Sequence, residues 1–132
     1  MSDLELGTRT ATRLCFEHQE LLLRLILRLG EAELRRPSAL PGWSRAHVVA
    51  HLARNADATA RRVHGALRGI DEPKYPGGEG QRTKEIEVSV RQSRTDLLAD
   101  AELSFHVLAT AFGKRRQTAG LTGSTWEAEA TQ

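Results

Sequence analysis

Apolar residues recur at steps of three and four in three stretches of the chain, which is the spacing of one face of an α-helix. The first stretch places its apolar residues, and one histidine, at Leu14, His18, Leu21, Leu22, Leu25 and Leu29. This pattern predicts a first helix over residues 4–29. Gly30 is its predicted C-cap, because glycine takes the left-handed conformation without a side-chain penalty.

A segment rich in turn-forming residues separates the first stretch from the second. Proline and glycine within residues 31–42 predict a loop there. Ser44 is then a suitable N-cap, since its hydroxyl can accept from the free backbone N–H groups of a first helical turn. Trp43 is placed to pack on Val48 as a hydrophobic staple. These features predict that the second helix starts at Ser44.

The second helix is predicted to end near Arg68. Its apolar stripe comprises Val48, Leu52, Ala56, Thr59, Val63 and Leu67. His47, His51 and Asn55 form a polar row beside that stripe, at steps of four residues. The helix is therefore predicted to present imidazoles next to its buried face.

Four glycines and two prolines between Gly69 and Gly80 predict a crossover loop around Tyr75. Helical spacing resumes near Arg82 and continues to Phe112, which predicts a long third helix. Residues 113–132 show no sustained period and are predicted to be a weakly ordered tail.

Three amphipathic helices without a credible strand predict an all-α, up-and-down helical bundle with a long crossover loop, formed by one domain over residues 1–132. A fourth helix is expected to be short or missing. A bundle that lacks a helix leaves an apolar face uncovered, so a homodimer is the first assembly expected.

The composition excludes few functions but favours a simple soluble domain. Lys and Arg total 19 against 17 acidic residues, and a net charge of +2 gives no support for nucleic-acid or membrane binding. The single cysteine, Cys15, is interpreted as structural. One cysteine forms no internal disulfide, and the absence of an export signal predicts a cytoplasmic protein.

The segment over residues 37–57, PSALPGWSRAHVVAHLARNAD, resembles the mycothiol-dependent maleylpyruvate isomerase family in its N-terminal domain. Tyr75-Pro76, Arg82 and residues 85–87 extend the resemblance, which covers roughly residues 10–112. It implies a DinB-like four-helix fold.

The resemblance also implies a divalent metal, usually zinc, with His51 as its first ligand. The family's other ligands occupy a Glu-x-x-x-His pattern on the fourth helix. This sequence has Glu127 and Glu129 with no histidine after them, so the chain is predicted to be truncated before those ligands, with one ligand of three.

The implied activity is a cis–trans isomerisation that uses mycothiol as cofactor. The thiol adds to the double bond of maleylpyruvate, the bond rotates, and elimination gives fumarylpyruvate, with the metal activating the thiol. Related members transfer the thiol to other electrophiles. Arg82 is expected to bind a substrate carboxylate, and Asn55 to line the pocket.

Other interpretations remain open at this stage. His47 lies one turn before His51 and is interpreted as a surface or N-terminal residue rather than a second ligand. A makeshift site that joins His18 and His106 to His51 is a weaker alternative. The alternative function is a non-catalytic helical interaction or oligomerisation domain derived from the same family.

Overall fold

The computed structural model describes the backbone of residues 2–119 and the side chains of residues 2–113. Over this range the chain contains helices and no strand, which confirms the predicted all-α class. The helices in chain order are α1 (Asp3–Leu27), α2 (Glu31–Arg35), α3 (Arg45–Leu67), α4 (Gly78–Val90) and α5 (Arg94–Ala119). Helix α3 is the centre of the bundle, because it packs mainly against α5 and then against α4.

The first helix begins and ends close to its predicted limits, but its C-terminal cap differs. Ser2 caps the N-terminus through a capping box with Glu5, and Arg28 rather than Gly30 is the C-cap. Gly30 has extended backbone angles and is instead the N-cap of α2. The predicted loop over residues 31–42 therefore contains a short helix. The side chain of Glu33 stabilises its first turn by accepting from the free N–H of Gly30.

The buried face of α1 is not the predicted one. Phe16, Gln19, Leu23 and Ile26 face the bundle, and Ile26 is buried. The predicted stripe lies on the opposite side, where Leu14, Leu21 and Leu25 are 43%, 53% and 62% exposed. Both rows have helical spacing, so periodicity alone does not decide which one packs.

The predicted third helix is two helices. The break lies at residues 91–93, where the hydroxyl of Ser93 accepts from the backbone N–H of Asp96 at 3.1 Å and caps α5. Helical spacing on both sides of the break hid this Ser-x-x-Asp capping signal. As a result, the described residues form a bundle of four long helices, α1, α3, α4 and α5, with α2 as a short additional helix.

Alanines dominate the core of α3. Ala46, Ala50, Ala53, Ala56 and Ala60 are buried, whereas Leu67 of the predicted stripe is 39% exposed. Small side chains allow neighbouring helices to approach α3 from more than one side, so its buried surface is wider than a single stripe. Leu34, Ile86, Leu97 and Phe105 supply the larger core side chains.

The last helix continues beyond the predicted end at Gly113 and reaches Ala119. The remainder of the predicted tail, including Glu127 and Glu129, lies outside the described residues. Among residues 2–119, no helix combines the length and apolar character needed to span a bilayer.

Candidate functional site

The loop before α3 fixes the position of Trp43 at one end of the candidate site. The two sides of this loop are joined by backbone hydrogen bonds from Ser38 N to Trp43 O (2.8 Å) and from Arg45 N to Arg36 O (2.9 Å). Gly42 closes the turn with a φ of 77°, a conformation that a side chain disfavours. The predicted Ser44 N-cap is confirmed, with Ser44 Oγ accepting from His47 N.

Trp43 packs on the imidazoles of α3. Its ring stacks on His47 at a centroid distance of 6.2 Å and lies 5.6 Å from the His51 ring. The guanidinium carbon of Arg82 lies 5.8 Å from the Trp43 ring centroid, within reach of a cation–π interaction. The indole therefore borders two of the three residues that the sequence assigned to the site, His51 and Arg82.

Arg82, near the start of α4, contacts His51 on α3 directly. Its Nη2 lies 3.3 Å from His51 Nδ1. A guanidinium has no acceptor, so Arg82 donates and Nδ1 accepts, and the neutral ring then carries its proton on Nε2. The same guanidinium reaches Glu79 through Nη1 at 3.6 Å, and the Glu79 side chain of this pair is largely exposed.

The surroundings of His51 favour its uncharged form. Partial burial lowers its pKa below the ordinary 6.5, and the positive charges of Arg82 and Lys74 lower the pKa further. Near neutral pH the imidazole is therefore neutral.

Lys74, in the crossover loop, brings a second positive charge to the site. Its Nζ donates to Asn55 Oδ1 at 3.0 Å, and its backbone carbonyl accepts from Arg61 at 3.3 Å. Asn55 lies one turn after His51 on α3, so the two predicted residues share one surface. Nothing in the sequence singled out Lys74, because its partner is 19 residues away.

Tyr75 follows Lys74 and presents a buried hydroxyl that has no hydrogen-bond partner in the described part of the chain. Burial and the negative charge of Glu85 raise the pKa of its phenol, while Arg82, Arg61 and Arg54 oppose that rise. The hydroxyl is therefore a neutral donor beside the site. A buried polar group without a partner is uncommon and suits a group that meets a ligand.

His47 is held by structural contacts rather than directed toward His51. Its Nε2 lies 3.0 Å from Glu87 Oε1, and its Nδ1 lies 2.8 Å from Ser44 Oγ. These contacts link the start of α3 to α4. They agree with the interpretation of His47 as an N-terminal residue and not a second ligand.

Beneath the site, Arg54 on α3 holds α4 and α5 in place. Its Nη2 contacts Asp100 at 2.7 Å and Asp57 at 3.1 Å, and its Nη1 donates to Ser89 at 3.2 Å. The Arg54 side chain is only 18% exposed. Sequence reasoning missed this ion-pair network, because an arginine within a helix is usually solvated.

The described side chains do not complete a metal site. Among residues 2–113, no three histidine, cysteine, aspartate or glutamate side chains converge closely enough to hold an ion. His18 is exposed on α1 and contacts the Leu14 carbonyl, so the alternative that joined it to His51 finds no support there. His51 itself offers no free lone pair in this arrangement, since Arg82 occupies Nδ1 and the proton occupies Nε2.

Of two open grooves in the described part of the chain, one shares a residue with the site. One is lined by Thr59, Val63, Lys74 and Phe112 among others, and so shares Lys74 with the site. The other lies between α1 and α5 and includes Gln19, Leu103 and His106. His51 lines neither of them.

Comparison with protein families matches residues 16–131 to the mycothiol maleylpyruvate isomerase N-terminal domain. Among solved structures, the chain is similar to the crystal structure of the mycothiol-dependent maleylpyruvate isomerase, with a TM-score of 0.68 and 32% identity over 78% of this chain. A histidine-to-alanine mutant of that enzyme gives a TM-score of 0.68 and 31% identity over 78% of this chain. The chain spans 41% of the length of each of these two structures.

No curated protein matches the chain. The structural likeness confirms the predicted DinB-like helical fold. The family match covers most of the sequence, including the segment that holds His51, Asn55 and Arg82. The chain therefore belongs to the family of the mycothiol maleylpyruvate isomerase N-terminal domain.

Proposed function

We propose that the chain serves a mycothiol-dependent isomerisation of the maleylpyruvate type, or a related thiol transfer, at the surface formed by His51, Arg82 and Asn55. The observation that carries the proposal is the 3.3 Å contact between Arg82 and His51. It brings together, from two helices, the two residues that the resemblance assigns to metal and substrate. Lys74 adds Asn55 to the same surface.

The charge of this surface suits a substrate with carboxylates. Arg82 is proposed to release His51 and pair with one carboxylate through two parallel hydrogen bonds, the geometry that a guanidinium favours. Asn55 and Lys74 are placed to bind a second oxygen group. Tyr75 contributes a neutral hydroxyl, which can donate to an oxygen anion without adding charge.

These groups also fit the charge changes of the reaction. A bound thiol would supply reversible addition through sulfur to the cis double bond, with the displaced π electrons held on the neighbouring carbonyl oxygen. The resulting single bond could then rotate before elimination restores a trans double bond and releases the thiolate. Arg82 and Lys74 would stabilise the negative oxygen that exists between these steps.

The family's divalent metal, with zinc the expected ion, supplies activation of the thiol when bound. His51 is proposed as the ligand that α3 contributes, because its lowered pKa keeps the ring neutral, the form that binds metals. This requires Arg82 to leave Nδ1, because a ring that carries its proton on Nδ1 could not accept from the guanidinium either. One imidazole falls short of the three protein ligands of a catalytic zinc site, so no step is assigned to the ion.

The groove that shares Lys74 with the site is the proposed location for the body of the thiol cofactor. The proposed setting is the cytoplasm, which the unpaired Cys15 favours.

The test is an isomerase assay with the full chain, mycothiol, zinc and maleylpyruvate. We expect conversion that requires mycothiol, is lost in His51→Ala and falls by about tenfold or more in Arg82→Gln. Arg91→Gln is the matched control, since it removes an exposed arginine from the far end of α4. Conversion without mycothiol, or conversion unaffected by His51→Ala, contradicts the proposal.

A second candidate function is a helical interaction domain derived from the family. The observation that favours it is the exposed row of leucines on α1, which nothing in the described part of the chain covers. Retained dimerisation or partner binding in a variant without isomerase chemistry would support this candidate.

A further inference from the structure

Helix α1 has two separate rows of side chains suited to packing, and only one row is used within the chain. The inner row contacts α5: Gln19 Nε2 donates to Phe105 O at 3.1 Å, and the Phe16 ring meets Phe112 edge-on at 5.5 Å. Leu23 and Ile26 extend this row into the core. The inner row is therefore sufficient to dock α1 on the bundle.

The outer row consists of Leu14, His18, Leu21 and Leu25. These residues follow one another at steps of four, three and four, which is the spacing of the seam of a coiled coil. At about 100° per residue, the outer row lies nearly opposite the inner row on the helix. The three leucines are 43%, 53% and 62% exposed, and Leu22 beside them is also exposed. Four neighbouring leucines on one surface form an apolar patch that is costly to leave in water.

We propose that this outer row is the interface of an antiparallel homodimer in which α1 packs against α1 of a second copy. A two-fold axis near the middle of the row places Leu14 against the partner's Leu25, and His18 against the partner's Leu21. Each contact then occurs twice, as an isologous interface requires. The packing of α1 within the chain is independent of this pairing, since the inner row remains on α5.

The charged residues beside the outer row favour a second copy of the chain as the partner, with its α1 antiparallel to the first. Glu17 and Arg24 lie seven residues apart on the same side of the row. In the antiparallel pair, each Glu17 faces the partner's Arg24, giving two reciprocal ion pairs that flank the leucines. In a parallel pair Glu17 would instead face the partner's Leu22. Glu17 is available for such a contact, because its pairing with Arg13 at 3.7 Å is loose and both side chains are largely exposed.

The first experiment measures the mass of the full chain by sedimentation over a range of concentrations. We expect a reversible monomer–dimer equilibrium in the wild type. Leu21→Lys should raise the dimer dissociation constant by about tenfold or more, because it places a charge in the seam. Leu40→Lys is the matched control: Leu40 is 52% exposed, against 53% for Leu21, but lies in the loop before α3. Helical content by circular dichroism checks that both variants fold.

The second experiment tests the pairing itself. Glu17→Arg and Arg24→Glu should each weaken the dimer, because each brings like charges together twice. The double variant should restore it, because the ion pairs reform with their signs exchanged. The antiparallel arrangement is overturned if the dimer dissociation constant is the same in all three variants as in the wild type. It is also overturned if the double variant dimerises more weakly than both single variants.

Cross-linking at Cys15 determines the relative direction of the two α1 helices in the dimer. In the antiparallel pair the two Cys15 residues are about 14 Å apart along the helix axis, from a rise of about 1.5 Å per residue, so the wild type should form no direct disulfide. Leu22→Cys should allow a short bis-maleimide to join residue 22 to the partner's Cys15. Efficient oxidation of the wild type to a Cys15–Cys15 dimer overturns the proposal, and so does a monomer at every concentration. In a monomer, weak binding of an apolar dye would mean that another part of the chain covers the row.

Discussion

Arg82 donates a hydrogen bond to His51 Nδ1 across 3.3 Å, so a permanent cation rests on the imidazole at the position where the family's metal ligand is expected. The contact joins α4 to α3 and, through Trp43, to the loop that precedes α3. Partial burial and the nearby guanidinium both favour the neutral form of His51, and the contact keeps Arg82 beside the surface where an anionic substrate is proposed to bind.

The first prediction concerns the titration of His51, which NMR of the imidazole protons measures directly. We expect its pKa to lie below 6.5 in the wild type, because burial and two nearby cations disfavour the charged ring. Arg82→Gln should raise this pKa, but not fully to its ordinary value, since burial is the larger cause. Lys74→Gln should shift the pKa in the same direction by a smaller amount. A His51 pKa above 6.5, or a His51 pKa that Arg82→Gln leaves unchanged, contradicts this account.

The same shift determines the sign of a pH effect on stability. The folded state holds the His51 pKa below that of the unfolded chain, so the unfolded chain takes up the proton first as the pH falls. The contribution of His51 to the free energy of unfolding is therefore intact above pH 6.5 and is lost as the pH falls through the folded pKa. Urea unfolding of the wild type and of His51→Gln at matched pH values measures this contribution of His51. A wild type that gains stability relative to His51→Gln on acidification would contradict the sign.

The second prediction concerns the Arg54 network. Arg54→Met removes the cation that pairs with Asp57 and Asp100 and leaves the partly buried Asp100 carboxylate without its closest partner. We expect a loss of about 2–4 kcal/mol in the free energy of unfolding, measured by urea denaturation. Arg13→Met is the control, because the exposed Arg13–Glu17 pair should contribute less than about 1 kcal/mol. Equal losses in the two variants would show that the network does not stabilise the bundle.

The third prediction tests the break between α4 and α5. Ser93→Ala removes the hydroxyl that accepts from Asp96 N, and we expect a loss of about 1 kcal/mol of stability. Ser93→Gly should cost less, because glycine is itself tolerated at an N-cap. Thermal and urea unfolding measure both variants. If Ser93→Ala is the more stable of the two, α4 and α5 behave as one continuous helix and the assigned cap is incorrect.

The fourth prediction separates stability from binding at Tyr75. Tyr75→Phe removes a buried hydroxyl that has no partner among the described residues, so the free energy of unfolding should stay the same or rise. Binding of a dicarboxylate should weaken, because the donor proposed for a substrate oxygen is lost. A variant that is clearly less stable than the wild type would mean that the hydroxyl has a structural partner instead.

The sequence indicated which of the candidate residues lie close together better than it indicated the packing around them. His51 and Asn55 are one helical turn apart, so their shared surface follows from spacing alone. The approach of Arg82 was expected only from the family resemblance. Lys74 and the Tyr75 hydroxyl reach the site through the path of the crossover loop, which no local pattern specifies.

The errors in the fold have physical causes as well. Helix α1 has two apolar rows with helical spacing, and either could face the core. The row with fewer leucines packs there, because the Phe16 ring and the Gln19 amide contact α5. Helical spacing continues across residues 91–93, so the cap at Ser93 was masked by the pattern around it. The alanine-rich face of α3 is wider than a stripe, because it packs on both α4 and α5.

The most direct test of the central claim, that Arg82 beside His51 binds an anionic substrate, is a calorimetric titration of the full chain with maleylpyruvate. We expect the wild type to bind, Arg82→Gln to bind about tenfold or more weakly, and Arg91→Gln to bind as the wild type does. In a parallel NMR titration with the same ligand, the His51 imidazole resonances should shift. Equal affinity of Arg82→Gln and the wild type, with no change at His51, would contradict the account.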